Sequence, residues 1–429
     1  MTNRLRKTII LLFLLFFILT APVLILYSQG YRFDFNWQEK KIKLIQTGGI
    51  AIGASPNNVS IFLDGKLKKK TGIFFTTAVV NNLIPKKYNI RVEKEGYYAW
   101  EKNLEVKEKQ VTEAKYIVLI PENLDVQQLS QSVEEFWILS ENKILVKEIS
   151  GEKWGLKIIN TDRNLKIHLI DQDEISKKNS QLLDLKISSD KEEIYLSLGL
   201  KEQIQYYSVD LGQNPPVVTE INFLPEEIES EKVFVYEIVG NDAYYLDKSG
   251  NLFKNNLSFE REEKLSQTAF EIKNETFYKL TIKNNFIFLF EDTCLYLFDS
   301  EKKEFEKFSD SVQEIEFSPD NKKMLYFNKH EIWILFLEEQ TGQLYKEAMS
   351  RQFINRFSDE IKDVAWLNSE YLVFILGDKI KVIEIDDRDR INGYDLSLTA
   401  EKFYWNSNNK IIYCVDSQKE LKFTYLSSF

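Results

Sequence analysis

Hydrophobic and polar positions divide the chain into three regimes. From Thr8 to Tyr27 no charged residue occurs. As a helix rising 1.5 Å per residue this run spans roughly 30 Å, enough to cross a bilayer. From Gly48 to about Pro121 short runs alternate apolar and polar residues with period two, the signature of half-buried strands. Val59, Ile61 and Leu63 alternate with Ser60 and Phe62; Tyr88, Ile90 and Val92 alternate with Asn89, Arg91 and Glu93; Leu104 and Val106 repeat the pattern. Asp64-Gly65 supplies residues that tolerate positive φ in a tight hairpin turn. Four or five strands over this stretch predict a small sandwich.

The third regime is a degenerate repeat. An alternating strand ending in a small polar turn, followed by a more apolar strand, recurs seven times: 136–140 with 144–146, 183–188 with 194–198, 234–239 with 243–246, 278–282 with 286–290, 315–318 with 324–327, 364–367 with 371–375, and 403–405 with 411–415. Dividing the residues after 121 by seven gives about 44 per unit, the spacing of four-stranded propeller blades. The last unit has room for three strands. Leu124 to Leu129 is available to add the missing outer one and close the ring.

Two resemblances accompany these patterns. Ser55-Pro56, the strand from Val59 to Leu63 leading into Asp64-Gly65-Lys66, Leu83-Ile84-Pro85, and Lys94-Glu95-Gly96-Tyr97 with Trp100 nearby resemble the PEGA domain over residues 46 to 121. Lys86 stands where that family usually has Gly after the Pro. The resemblance implies an extracytoplasmic β-sandwich-like module. In the fifth repeat, Phe317-Ser318-Pro319-Asp320-Asn321-Lys322-Lys323 runs into Met324-Leu325-Tyr326-Phe327 and is similar to the Pro-Asp type of WD-like repeat in TolB-type propellers. The expected fold is all-β after a transmembrane helix: an anchor over 1–30, a juxtamembrane linker over 31–45, a PEGA-like sandwich over 46–121, and a propeller of about seven blades over 122–429.

Charge gives this order a direction. Arg4, Arg6 and Lys7 precede the apolar run and no acidic residue occurs before Asp34, so the positive-inside rule leaves the N-terminus cytoplasmic and exports the rest. A cleaved signal peptide is the competing reading. The run exceeds the roughly 7 to 15 residues of a signal core, and Ala21 is followed by Pro22 and more Val, Leu and Ile rather than an A-x-A site. Tyr27, Tyr31, Phe33, Phe35 and Trp37 suit the headgroup level. Residues 31–120 hold 16 Lys or Arg against 9 Asp or Glu, and residues 1–30 add three more cations. With a total of -10, residues 121–429 therefore carry -20. Lys66, Lys68, Lys69, Lys70, Lys86 and Lys87 are candidates for contact with anionic headgroups or wall polymers; solvated lysines guarding sheet edges are the alternative. The acidic remainder argues against nucleic acid and for basic or metal-bridged partners.

Candidate chemistry is sparse. Two Cys and two His exclude a disulfide framework and a zinc ribbon. His168 and His330 lie in a strand-like stretch and a loop without catalytic company, and Cys294 and Cys414 fall in non-adjacent units, so free thiols are expected. The run Asp386 to Gly393 invites a calcium-loop reading, but its register puts Ile391 or a cation where an oxygen ligand is needed. Glu226 to Glu231 reads as a solvated connection. Some pair among 66 acidic residues must lie near a central channel, without a sequence signal to choose it. The function expected is noncatalytic binding or scaffolding in a bacterial envelope, with a membrane contact through the helix, protein or polymer partners and no cofactor. An exported enzyme acting on envelope glycans through channel carboxylates and a wall-binding stalk are the alternatives.

Overall fold

The computed structural model describes residues 3–36, 41–72, 76–163, 165–175, 181–188, 191–200, 203–213, 216–221, 233–256 and 261–426. The acidic run at 226–231 lies outside them. The apolar run is one helix, α1, spanning Asn3–Ser28. Its segment Arg6–Ser28 has mean hydropathy 3.1 and buries none of its apolar window against the protein, so it is long and apolar enough to cross a membrane.

A hairpin follows where a linker was expected: Tyr31–Asn36 pairs antiparallel with Lys41–Gln46. The period-two alternation of Tyr31, Phe33 and Phe35 with Arg32, Asp34 and Asn36 is the sequence reason. Both ends of the hairpin are pinned, because the Gly30 carbonyl accepts from Thr47 N at 2.9 Å and Thr47 Oγ1 at 2.8 Å. The Arg32 guanidinium lies 3.5 Å from the centre of the Tyr27 ring.

Next comes a sandwich of two sheets. Gly48–Ser55 sits between Thr77–Leu83 and Val111–Val118, the latter parallel to it. The facing sheet runs Lys66–Lys70, Ser60–Leu63, Lys86–Glu93, Trp100–Val106. The alternating positions read from sequence form its core, with Val59, Ile61, Ile90 and Val92 fully buried. There are seven strands rather than four or five. Lys66–Lys70 shows no apolar alternation because all five residues are exposed, and in Thr77–Leu83 only Ala78 and Leu83 are fully inward. Asp64 and Gly65 have φ of 48° and 74°, as the tight turn requires. At Gly53 a Cβ would meet the Lys115 carbonyl at 2.5 Å, so only glycine permits this approach of the two parallel strands.

Seven four-stranded antiparallel sheets fill the rest of the described chain. Each of the seven strand pairs read from sequence is the first and second strand of one sheet. Lys402–Asn406, Ile411–Val415 and Leu421–Tyr425 form the last, completed by Val126–Ser130 from before the first sheet. Gln127 sits opposite Phe423. Closure is also hydrophobic: Val133, Phe136 and Val146 of the first sheet pack on Ile411, Tyr413 and Leu421 of the seventh. The first strands lie side by side around an axis. Ile282 N donates to Glu237 at 2.9 Å, Trp366 N to Glu316 at 3.1 Å, and Lys402 pairs with Glu135 at 2.9 Å. The arrangement is propeller-like.

Candidate binding surfaces and the interdomain seam

The strand Trp100–Val106 buries every second residue: Trp100, Lys102, Leu104 and Val106. The lysine is completely buried, an arrangement that costs several kcal/mol unless the charge is paired. Its partner comes from the sixth propeller sheet. Glu384 ends the strand Lys379–Glu384, and only 3% of its side chain is exposed. Lys102 Nζ lies 3.0 Å from Glu384 Oε1 and 3.4 Å from Asp386 Oδ1, and it also donates to the Asp386 carbonyl. Trp100 Nε1 donates to Glu384 Oε2 at 2.8 Å, while Asn392 donates through N and Nδ2 to Oε1 at 2.8 and 2.7 Å. Burial pushes the Glu384 carboxyl upward, and Lys102 and Trp100 pull against that. Burial acts likewise on Asp386, but hydrogen bonds from Arg388 and the charges of Lys102 and Arg388 together outweigh it and hold that carboxyl below its ordinary value.

The same loop, 385–392, continues along the sandwich. Asp389 accepts from Asn103 N and Nδ2 at 2.9 and 3.0 Å. Tyr98 stacks on Tyr394 with centroids 5.5 Å apart. The run that resembled a calcium loop is therefore the docking loop, with Asp386 and Asp389 committed to protein donors.

Edge strands invite unwanted pairing, and the edge of Val111–Val118 is covered by propeller side chains. Gln343 accepts from Glu113 N at 2.8 Å and donates to the Val111 carbonyl; Arg388 donates to the Glu113 carbonyl at 2.7 Å; Tyr371 Oη accepts from Val118 N at 3.1 Å. Below this edge Val118 and Ile120 join Tyr371, Leu396 and Leu398 in one apolar cluster. The sandwich thus docks through a buried ion pair, a capped edge and a shared core.

The candidate lysines are not brought together into one set. Lys66, Lys68, Lys69 and Lys70 lie along an exposed edge strand rather than around a turn, and Lys87 is exposed on the same sheet. Lys86 is engaged: it pairs with Asp64 at 2.6 Å, which raises the lysine and lowers the carboxyl.

Two acids stand out on the first strands. Glu316 is pushed up to about 7 by burial, and Asp363 reaches about 7 through burial and the nearby Glu314. His168 Nε2 lies 3.1 Å from Glu174 Oε2; in this His168, Asp171, Glu174 cluster His168 and Glu174 are exposed and Asp171 is half-buried. His330 is a loop residue contacting the Asp359 carbonyl. Both cysteines are free; burial pushes the Cys414 thiol up to about 12, which suppresses thiolate chemistry.

Residues 47–119 match the PEGA domain family. No curated protein matches the sequence. Among solved structures the chain is similar to a chain of the Mitotic Checkpoint Complex, with 11% identity, TM-score 0.41, and coverage of 70% of this chain and 92% of that one. It is similar to YCF48 from Cyanidioschyzon merolae at 10% identity and TM-score 0.41, covering 70% and 98%. It is also similar to the β-propeller domain of Myceliophteria thermophila Cps50 (Swd1) at 11% identity and TM-score 0.39, covering 71% and 99%.

Sequence reading missed the PEGA-to-propeller seam. A signal was present: Lys102 occupies an inward position between Trp100 and Leu104, and Glu384 follows the buried Ile380 and Val382 at the same spacing.

Proposed function

We propose that this chain is a noncatalytic binding scaffold of a bacterial cell envelope. α1 tethers it with the N-terminus in the cytoplasm, and the PEGA domain and propeller-like array project outside as one rigid unit that presents loops and channel to protein or polymer partners. The observation that carries this reading is the seam. A buried Lys102–Glu384 pair sealed by Trp100 and Asn392 fixes how the array is held relative to the domain that follows the helix. Display at a set height and angle needs such a joint, whereas a flexible tether does not. Protease added to intact spheroplasts is expected to digest everything beyond α1; protection of the array would overturn the topology.

The exposed strand Lys66–Lys70, with Lys87, is the surface assigned to anionic headgroups or wall polymers, and Lys86 adds less because Asp64 neutralises it. Changing Lys66, Lys68 and Lys70 to Gln should weaken retention on anionic vesicles by about 1 kcal/mol per lysine. Unchanged retention would leave those lysines as edge protection.

A second reading, an exported enzyme acting on envelope glycans, is favoured by the raised carboxyls of Glu316 and Asp363 on adjacent first strands. Release of wall fragments that ceases in Glu316→Gln and Asp363→Asn would replace the scaffold reading with this one.

A further inference from the structure

Two cavities open side by side where the PEGA strand Val111–Val118 faces the fifth and sixth propeller sheets, with volumes of about 180 and 290 Å³. They share Tyr116, Thr341, Leu344, Glu370 and Asp386 as a common wall. The loop 337–350, which joins Glu331–Phe336 to Arg351–Arg356, contributes to both. Tyr116 leaves 68% of its surface exposed, so it forms an aromatic shelf between the two chambers rather than part of the core.

The charges of the lining restrict the occupant. Six acidic residues face the cavities and every one is already paired. Glu113 pairs with Lys115 at 2.5 Å, Glu370 with Lys323 at 3.3 Å, Glu384 with Lys102 at 3.0 Å, and Asp386 with Arg388 at 2.7 Å. Asp387 pairs with Lys346 at 2.6 Å and Asp320 with Lys323 at 3.4 Å. An anionic ligand would meet only the exposed Lys322 outside these pairs, and a cationic one would compete with an ammonium or guanidinium already in place in a partly desolvated cleft. A neutral ligand rich in hydroxyls meets no such cost. Each hydroxyl donates to a carboxylate and accepts from an ammonium or guanidinium, and both kinds of group are present along the wall. An extended peptide is disfavoured as well, because the strand edge it would join is occupied by Gln343, Arg388 and Tyr371.

We propose that this cleft binds a neutral disaccharide unit of a glycan. One ring sits in each chamber, an apolar C–H face lies on Tyr116, and hydroxyls bond to Glu370 and Thr341. Each chamber is smaller than the roughly 300 Å³ at which drug-sized pockets begin, and the pair in series suits two linked rings. Glu370 is the acid best placed to adapt: burial raises its carboxyl, and it borders both chambers. The inference rests on the binding reading above but not on its topology, so the protease result can fail while sugar binding stands.

The test uses the full chain in nanodiscs prepared without glycoside detergent, titrated calorimetrically with cellobiose, maltose and N,N′-diacetylchitobiose. At least one should bind with a Kd near or below the millimolar level, about -4 kcal/mol. Tyr116→Ala, at an exposed position that leaves the core intact, should weaken that binding about tenfold, and Glu370→Gln by a similar factor. The proposal is overturned if none of the three sugars binds, if binding is unchanged in both variants, or if the charged probe digalacturonate binds more tightly than the neutral sugars.

Discussion

Replacing Lys102 with methionine should destabilise the protein by about 3 to 5 kcal/mol, because it leaves the buried Glu384 carboxylate without its cation while Asp386 keeps Arg388. Glu384 and Asp386 would face each other across the vacated position, with Glu384 almost wholly enclosed. Denaturant unfolding of the full chain reads this directly. The double variant Lys102→Met with Glu384→Gln should recover much of the loss. The amide oxygen can still accept from both Asn392 donors, at the loss of the Trp100 bond, and no net charge remains buried at that position. A loss below about 1 kcal/mol in the single variant would show that water enters the seam and that the pair does not hold it.

The second large effect is a dependence on pH. Glu316 and Asp363 have ordinary values of 4.5 and 3.8 and folded values of about 7. A carboxyl raised by folding makes no difference while it is protonated in both states and opposes the folded state once ionised. Their contribution is neutral below the unfolded values, and stability is lost as pH climbs from about 4 through about 7. At 1.36 kcal/mol per unit the loss reaches up to about 3 kcal/mol for Glu316 and about 4 kcal/mol for Asp363. Groups such as Asp64 and Asp416, lowered by their lysine partners, act in the opposite direction, so the decisive quantity is the difference between variants. Glu316→Gln and Asp363→Asn should raise the melting temperature at pH 8 and leave it unchanged near pH 4. Equal shifts at both ends of the range would detach these two groups from the effect.

How much of this was legible follows from what each signal is made of. The seven strand pairs were readable because a strand buried on alternate positions repeats its pattern in every unit, and the second strands, such as Lys323–Phe327 and Ile411–Val415, are buried throughout. The turns were harder, since different short side chains do one job. Ser318 Oγ bridges the Lys323 amide and carbonyl at 3.0 and 3.1 Å, and Ser188 does the same for Glu193, whereas Asn368 and Asn406 cap the corresponding turns through side-chain amides. Only the Pro-Asp version stood out as a motif. The small strands of the PEGA domain escaped because Lys66–Lys70 buries nothing and is held by its backbone. The seam was written in two places 282 residues apart, Lys102 and Glu384, and an inward charge on one strand names no partner until the fold brings the other to it.

The closing strand Val126–Ser130 has a consequence for how the molecule is made. A chain delivered amino end first presents that strand about 290 residues before Leu421–Tyr425, with which it must pair. Until then its hydrogen-bonding edge and the apolar flank of the first sheet stay unsatisfied. Biogenesis therefore includes an interval in which a nearly finished ring stands open, and a chaperone that shields a single exposed edge would have its greatest effect then.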